Sequence, residues 1–525
     1  MNGLNVSDHP DGPARAVRHG AVLAVTSVAL ATVVSAMASL NVALPDIARD
    51  THADQTQLSW IIDAYSLVFA SLLLLAATLG DRFGRRKALL GGLAVFAGVS
   101  LAATFTTEPV VLIALRGALG VAAAFIMPAT LSTITSTFPR AQQARAVSVW
   151  AAVAGASAVL GLLASGAALE LWSWRSVFWL NVVLAGAALV GTYRFVPESA
   201  QPESKRIDVV GAALTVLGLG ILVYSVIQAP EQGWASVRTL VGIAAGLVTL
   251  ALFVAWELRY PHPLLDPRLF RRMPFAAGSL SITFQFFAFF GFIFVVMQYL
   301  QLVRGDSALV AAVSVLPMSA AMIPIARLSP RLVARRGARG PWCVGLVLVA
   351  TGLFIMAGLS ADSSYWLLVA GLVPLGAGMG LAMAPATAAI TDALPPRLQN
   401  VGSAVNDLSR ELGGALGIAV LGSVLSAGYR SHLDLDGVPA PVADAARSSL
   451  AAANHAGNAT GNLSLIDQAR DAFASGMHLA LVSGGAAAVV AAVVVALLLR
   501  RTSRTRVPVD EQRVDAVSAV ARSAR

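Results

Sequence analysis

The chain has 525 residues, of which 57% are hydrophobic and only 12% are charged. Soluble domains carry about 25% charged residues, so this composition, with a mean hydropathy of +0.73, excludes an ordinary soluble domain and indicates a membrane protein. The net charge of +9 is therefore no sign of nucleic-acid binding, and the lipid bilayer is the partner that we expect.

Fourteen apolar runs follow one another along the chain, most of them close to the ~20 residues that a membrane-spanning helix needs. They lie near 20–45, 58–79, 88–105, 109–136, 144–169, 176–195, 209–227, 239–257, 275–302, 308–328, 341–359, 365–390, 401–427 and 477–499. Because backbone polar groups in lipid must be satisfied within each segment, we predict an all-α polytopic membrane protein with fourteen spans.

Lysine and arginine are distributed unequally between the connecting segments. If the N-terminus is cytoplasmic, most of the 37 cationic side chains fall on the inner side of the membrane. The positive-inside rule then predicts that both termini are cytoplasmic. Arginine far outnumbers lysine and alanine is abundant, which suggests a bacterial genome and hence a bacterial plasma membrane.

A short basic loop joins the second and third spans. It reads Gly80-Asp81-Arg82-Phe83-Gly84-Arg85-Arg86-Lys87, and its glycines permit a tight turn. This string resembles the signature loop of the major facilitator superfamily of membrane transporters. The resemblance implies that Asp81 makes charge contacts that hold one face of the transporter closed and must break during transport. The predicted gating residues are Gly80, Asp81, Arg82, Gly84, Arg85 and Arg86. A topological signal made only of cations would not explain Asp81.

The second half of the chain weakly echoes the first, because residues 329–337 separate two spans much as 80–87 do. Parallel halves predict the two six-helix bundles of this superfamily. The predicted divisions are a cytoplasmic tail (1–19), an N-terminal bundle (20–195), two linker helices (209–257), a C-terminal bundle (275–499) with a long outer loop (428–476), and a cytoplasmic tail (500–525).

Four further motifs narrow the resemblance. They are Asn41-Val42-Ala43-Leu44-Pro45, Trp60-Ile61-Ile62-Asp63-Ala64-Tyr65, Trp172-Ser173-Trp174-Arg175 with Phe178 and Asn181, and Leu264-Leu265-Asp266-Pro267-Arg268-Leu269-Phe270. Together they resemble the fourteen-helix drug:proton antiporters over nearly the whole chain. The resemblance implies export of hydrophobic small molecules with the proton gradient as the energy source and without a cofactor. We expect a monomer.

Asp63 stands near the outer end of the second span. A carboxylate at membrane depth is costly and usually serves as a proton or cation site, and the family often carries a functional acid here. The alternative is that Asp63 lies in the outer interface and is hydrated.

The thirteenth span contains Asp407, Arg410 and Glu411. The two acids are four residues apart and therefore share one helical face. Two carboxyl groups that approach each other at low dielectric can exchange protons near neutral pH, and the resemblance implies a role in transport. The alternative is a local network in which Arg410 neutralises one acid and the cluster only packs the helix.

Arg116 is the one charged residue of the fourth span and lies several residues inside it. An arginine at this depth needs an acceptor or a water-filled cavity. It matches the arginine that the antiporter family links to proton coupling, although Leu119 replaces the usual glutamine. We predict that Arg116 is a cationic partner of the acids.

The fifth span carries an antiporter-like motif with Gly155, Gly161 and Gly166, whose small-residue face allows close helix packing. Leu162 replaces the proline of the motif, so a kink should be absent.

In the first span Ala36 stands where the family often has an aspartate, and we therefore expect neutral or weakly charged substrates rather than dications. The aromatic run 284–292 of the ninth span either lines an apolar pocket or faces lipid.

These features predict proton-coupled efflux of hydrophobic drugs or antibiotics by alternating access, which would confer resistance. The alternative is a carrier of the same superfamily that is not proton-coupled or that carries a lipid-like substrate, as Leu162 and Ala36 suggest. We do not expect an enzyme or a metal site, because the seven histidines are scattered along the chain. The sequence has no Walker loop, which disfavours ATP-driven transport.

Overall fold

The computed structural model describes residues 18–199, 208–261, 263–394, 399–435 and 437–502. In this part of the chain the regular structure is helical throughout. The α-helices are α1 (His19–Thr51), α2 (Gln55–Phe83), α3 (Arg85–Ala103), α4 (Pro109–Thr137), α5 (Arg140–Leu171), α6 (Arg175–Phe195), α7 (Val209–Gln232), α8 (Val237–Glu257), α9 (Met273–Gln298), α10 (Ala308–Ser314), α11 (Leu316–Arg336), α12 (Arg339–Ala357), α13 (Tyr365–Asp392), α14 (Gln399–His432), α15 (Ala440–Ser448), α16 (Leu450–Thr460) and α17 (Leu463–Thr502).

The prediction of an all-α polytopic protein is confirmed. Within the described residues, thirteen segments are long and apolar enough to cross a membrane. The fifth predicted span coincides with α5, whose fully described part, Ala156–Leu171, is a shorter apolar helix.

The tenth predicted span corresponds to the apolar segment Ala308–Arg336, but its helix is interrupted. It consists of α10 and α11, which are separated at Val315. Pro317 lies in the first turn of α11, where its missing N–H costs nothing, whereas inside a continuous helix it would break the hydrogen-bond ladder. The ninth span also differs from a plain α-helix, because α9 continues into a π-helical turn at Tyr299–Val303.

The prediction that residues 428–476 form one long loop is wrong, because much of this segment is helical. It contains the end of α14, the short helices α15 and α16, and the first turns of α17, which begins at Leu463 and not at 477. The Ser449 side chain caps α16 by accepting a hydrogen bond from the backbone N–H of Ala452, and the alanine-rich sequence after it has high helix propensity. Hydropathy alone does not detect such polar, alanine-rich helices.

The membrane helices pack in two groups that contact each other. Helices α1–α6 pack with one another, as do α9, α11–α14 and α17. The pair α7 and α8 lies beside both groups, because α7 packs against α2 and also against α14. Helices α2 and α14 also contact each other directly, so the side chains between them lie where the two halves of the molecule meet.

Candidate functional site

Helix α2 carries Asp63 into the interior. The helix begins with a capping box in which Asp54 accepts a hydrogen bond from the Gln57 N–H at 2.7 Å and Gln57 accepts one from the Asp54 N–H at 3.1 Å. Asp63, two turns further on, is fully buried. Neither of its carboxyl oxygens has a hydrogen-bond partner among the described residues. The structure therefore places Asp63 inside the protein and not at a hydrated outer interface.

Arg116 ties three helices together without contacting Asp63. Its Nε donates a hydrogen bond to the Ile61 carbonyl oxygen at 2.8 Å, and its guanidinium lies 4.4 Å from the centre of the Tyr65 ring. The Tyr65 hydroxyl in turn donates to the Val33 carbonyl oxygen of α1 at 3.1 Å. Within the described residues Arg116 forms no ion pair with a carboxylate, so it contacts α2 through a carbonyl group and an aromatic ring.

Asp407, Arg410 and Glu411 of α14 have different surroundings. Arg410 lies between the carboxylate of Asp407, at 3.7 Å from Nη1 to Oδ1, and the ring of Phe286 on α9, at 4.8 Å from the ring centre. Glu411 is buried, and its Oε2 has no hydrogen-bond partner in the described part of the chain. Tyr65, whose ring contacts Arg116, was not singled out by its sequence motif.

A cavity of about 90 Å³ lies between α2, α4 and α14. Asp407 is the one charged residue among those described that line it. Gly80 also lines it, so the cavity lies at the end of α2 that carries the basic loop. Sequence reasoning missed the α4 contribution of Pro128, Ser132 and Thr135, because a proline and small hydroxyl residues in an apolar helix give no sequence signal of a cavity.

The basic loop is a tight turn held against two neighbouring helices. Gly84 has φ +117°, a conformation that favours glycine, and a Cβ at this position would lie 2.6 Å from Oε1 of Glu198. The Arg85 side chain donates to the Ser132 carbonyl oxygen of α4 at 3.3 Å. Arg86 donates from its Nη2 to the Tyr193 carbonyl oxygen of α6 at 2.7 Å.

Glu198, which follows α6, accepts a hydrogen bond from the Arg86 backbone N–H at 3.2 Å. Sequence reasoning missed Glu198. Its only signal in the sequence was that an acidic residue follows the sixth span on the side of the membrane where most Lys and Arg residues are predicted. The side chain of Asp81 lies outside the described residues, so its predicted charge contacts remain a prediction. The Arg82 side chain is exposed.

The glycines of α5 allow close packing against both halves. A Cβ on Gly161 would lie 2.7 Å from the Ser35 Cβ of α1, and one on Gly166 would lie 2.9 Å from the Leu309 Cα of α10. Gly155 lies outside the residues whose surroundings are described. Ala36 is buried in α1, one residue beyond the contact with Gly161.

The aromatic residues of α9 include several buried rings. Phe286 and Phe290 are buried and lie 5.9 Å apart between ring centres. Phe292 and Phe294 are also buried. These four rings pack inside the protein and do not face lipid.

Comparison with known proteins assigns the family. The family model of the Major Facilitator Superfamily matches residues 26–418. The chain belongs to this superfamily. Because superfamily members are transporters, the prediction that the chain is not an enzyme is confirmed.

Curated relatives of this superfamily member are bacterial drug-resistance proteins. The multidrug resistance protein Stp of Mycobacterium tuberculosis is 36% identical over 77% of this chain and 76% of its own. The multidrug efflux pump LfrA of Mycolicibacterium smegmatis is 37% identical over 83% and 88%. The tetracenomycin C resistance and export protein of Streptomyces glaucescens is 34% identical over 80% and 79%.

Solved structures of transporters share the fold. A bacterial homologue of the human lysosomal transporter Spinster, in an inward-facing and unoccupied conformation, superposes with a TM-score of 0.65 at 18% identity, over 93% of this chain and 98% of the other. A peptide transporter bound to sulfate superposes with a TM-score of 0.63 at 15% identity, over 94% and 96%.

Proposed function

We propose that this superfamily member exports hydrophobic small molecules, including antibiotics, in exchange for protons. The names of three relatives that are at least 34% identical support drug export. One observation supports proton coupling. Helices α2 and α14 contact each other between the two halves, and each holds a buried carboxyl group. At least one oxygen of each group lacks a hydrogen-bond partner among the described residues. These groups are Asp63 and Glu411.

In this proposal the helix α14 pair is the main proton site. Ionisable groups at membrane depth usually mark proton or ion pathways. Asp407 lines the cavity at the loop end of α2, and Glu411 lies one turn deeper on the same face. A proton bound here would be released to the cytoplasm when the cavity faces inward, and the drug would leave on the outer side when the cavity faces outward.

Arg116 and the basic loop have supporting roles in the same cycle. Arg116 fixes the position of Tyr65 and of the α2 backbone. The loop around Gly84 holds the ends of α2 and α3 against α4 and α6, and its contacts would have to rearrange as the two halves rock. The proposed protein is a monomer in a bacterial plasma membrane with both termini inside, driven by the proton gradient without a cofactor.

A drug-susceptibility panel tests this function. The chain is expressed in a bacterial host that lacks its main efflux pumps, and growth inhibition and ethidium accumulation are measured with and without an uncoupler. We expect raised resistance and reduced ethidium accumulation that the uncoupler abolishes. Export that persists after collapse of the proton gradient would favour the carrier that is not proton-coupled. Two positions of the sequence agree with that alternative: Leu162 replaces the motif's proline, and Ala36 replaces the family's aspartate.

A further inference from the structure

One face of α2 is a continuous buried polar stripe. Gln55, Ser59, Asp63 and Ser66 are spaced by four, four and three residues, so they lie along one side of the helix. All four are buried, with exposed fractions of 6%, 3%, 0% and 0%. The stripe starts at the first residue of α2 and extends three turns into the membrane region.

The stripe meets α14 at Ser59. A Cβ on Gly422 of α14 would lie 3.0 Å from the Ser59 Oγ, so this glycine packs directly over the stripe. At the other end of the contact, Gly80 of α2 lines the same cavity as Asp407 of α14. The two helices are therefore antiparallel neighbours, and Glu411 lies between these two points, one helical turn beyond Asp407.

The polar atoms along this interface are incompletely paired. Gln55 Nε2, both oxygens of Asp63, Ser66 Oγ and Glu411 Oε2 are buried and have no hydrogen-bond partner within the described residues. Buried polar groups are normally satisfied by protein or by water. Burial of these groups, which include a fully buried carboxyl group, costs free energy unless water molecules hydrogen-bond to them or the carboxyl group is protonated.

Other charged and titratable groups around the interface lie to its sides. Arg116 and Tyr65 lie on the α4 side of α2, and Arg410 lies on the α9 side of α14. Helix α7 contributes Tyr224, whose ring lies 6.0 Å from that of Trp60. None of these described groups forms an ion pair with Asp63 or Glu411, so both carboxyl groups are available to accept a proton.

We propose that the α2–α14 interface is a hydrated proton path. It enters at Gln55, passes Ser59, Asp63 and Ser66, and reaches Glu411 and then Asp407 at the cavity. Each step moves one proton between oxygen atoms of water and a carboxylate, and every carboxyl group returns to its starting form once the proton has moved on. This inference rests on the proposed proton coupling and adds the route by which protons reach the α14 pair.

Cysteine accessibility tests the path without any transported drug. In a Cys343→Ala background, Ser59→Cys and Ser66→Cys are reconstituted in proteoliposomes and treated with 2-aminoethyl methanethiosulfonate, a small water-soluble reagent. The matched control is Leu58→Cys, because Leu58 is equally buried next to Ser59 but points away from the stripe. We expect both stripe positions to react at least about tenfold faster than the control, since thiolate reactions need water. If either position reacts no faster than Leu58→Cys, the path is wrong.

Proton movement coupled to ethidium separates this inference from the proposed function. In proteoliposomes with an entrapped pH dye, Ser59→Val/Ser66→Val should lower ethidium-coupled proton flux by about tenfold, equivalent to a barrier raised by about 1.4 kcal/mol, while ethidium exchange continues. The control Ser71→Val should leave the flux unchanged, because Ser71 is on another face of α2; its hydroxyl donates to the carbonyl oxygen four residues earlier, as that of Ser59 does, so the control is matched to Ser59 in this respect. Wild-type coupling with full flux in the double variant would overturn the path alone. Absence of coupled flux in the wild type would contradict the proposed function itself.

Discussion

At the scale of single residues, the most informative groups are the buried acids. Burial of a carboxyl group without a partner is costly, yet Asp63 is completely enclosed and Glu411 has an oxygen without a hydrogen-bond partner among the described residues. Arg410 lies beside Asp407 and against Phe286, so the local-network interpretation accounts for Asp407 but leaves Glu411 unexplained. The proton-site interpretation accounts for both acids.

The assignment of Asp81 to the gating loop gives a prediction that distinguishes the conformational change of the transporter from drug binding. Asp81→Asn should reduce ethidium efflux strongly, because the resemblance assigns this acid to contacts that open and close one face. Ethidium binding, measured by fluorescence on purified protein, should be almost unchanged. The conservative Asp81→Glu should retain more efflux than Asp81→Asn. An equal loss of binding and efflux would place Asp81 in the binding cavity and contradict the assignment.

Ala36 leads to a prediction about substrate charge. With no acid at this buried position of α1, the helix offers no counter-ion for a doubly charged drug. Expression of the chain should therefore raise resistance to neutral or weakly charged hydrophobic antibiotics more than to methyl viologen, a dication. Minimum inhibitory concentrations in an efflux-deficient host measure both. Greater protection against methyl viologen would refute the expectation.

At the scale of elements, the glycine contacts of α5 determine how closely the helices approach. Gly161→Ala should lower the free energy of unfolding by about 1–3 kcal/mol, the usual cost of overpacking, because the new Cβ would meet Ser35 at 2.7 Å. Gly186→Ala in α6 is the matched control, since nothing lies within 4 Å of its added Cβ. Thermal unfolding in detergent measures both variants. Equal thermal-unfolding midpoints for Gly161→Ala and Gly186→Ala would show that helices α1 and α5 are not tightly packed at Gly161.

The elements also show what the sequence could and could not predict. Long apolar runs located the spans because the bilayer sets both their length and their composition. The break before Pro317 and the helix α16 were missed, since one depends on a single backbone N–H and the other on a Ser449 cap and alanine propensity. The spacing of Asp407 and Glu411 predicted their shared face. The contact of Ser59 with Gly422 was not predictable, because it joins residues more than three hundred positions apart.

At the scale of the whole molecule, the topology is the prediction on which the direction of transport depends. In a Cys343→Ala background, His455→Cys on α16, which is exposed, should react with an impermeant maleimide added to intact cells. Arg501→Cys should react only after permeabilisation, because the positive-inside rule places the C-terminal tail in the cytoplasm. Labelling of Arg501→Cys in intact cells would overturn the assignment of sides.

The central claim is that the α14 carboxyl pair couples drug export to proton entry. It is tested most directly with Asp407→Asn/Glu411→Gln in proteoliposomes, because these amides keep the shape of the side chains and remove their titration. We expect the double variant to lose ethidium accumulation driven by a pH gradient and to retain downhill ethidium exchange. Full gradient-driven accumulation in the double variant would contradict the claim.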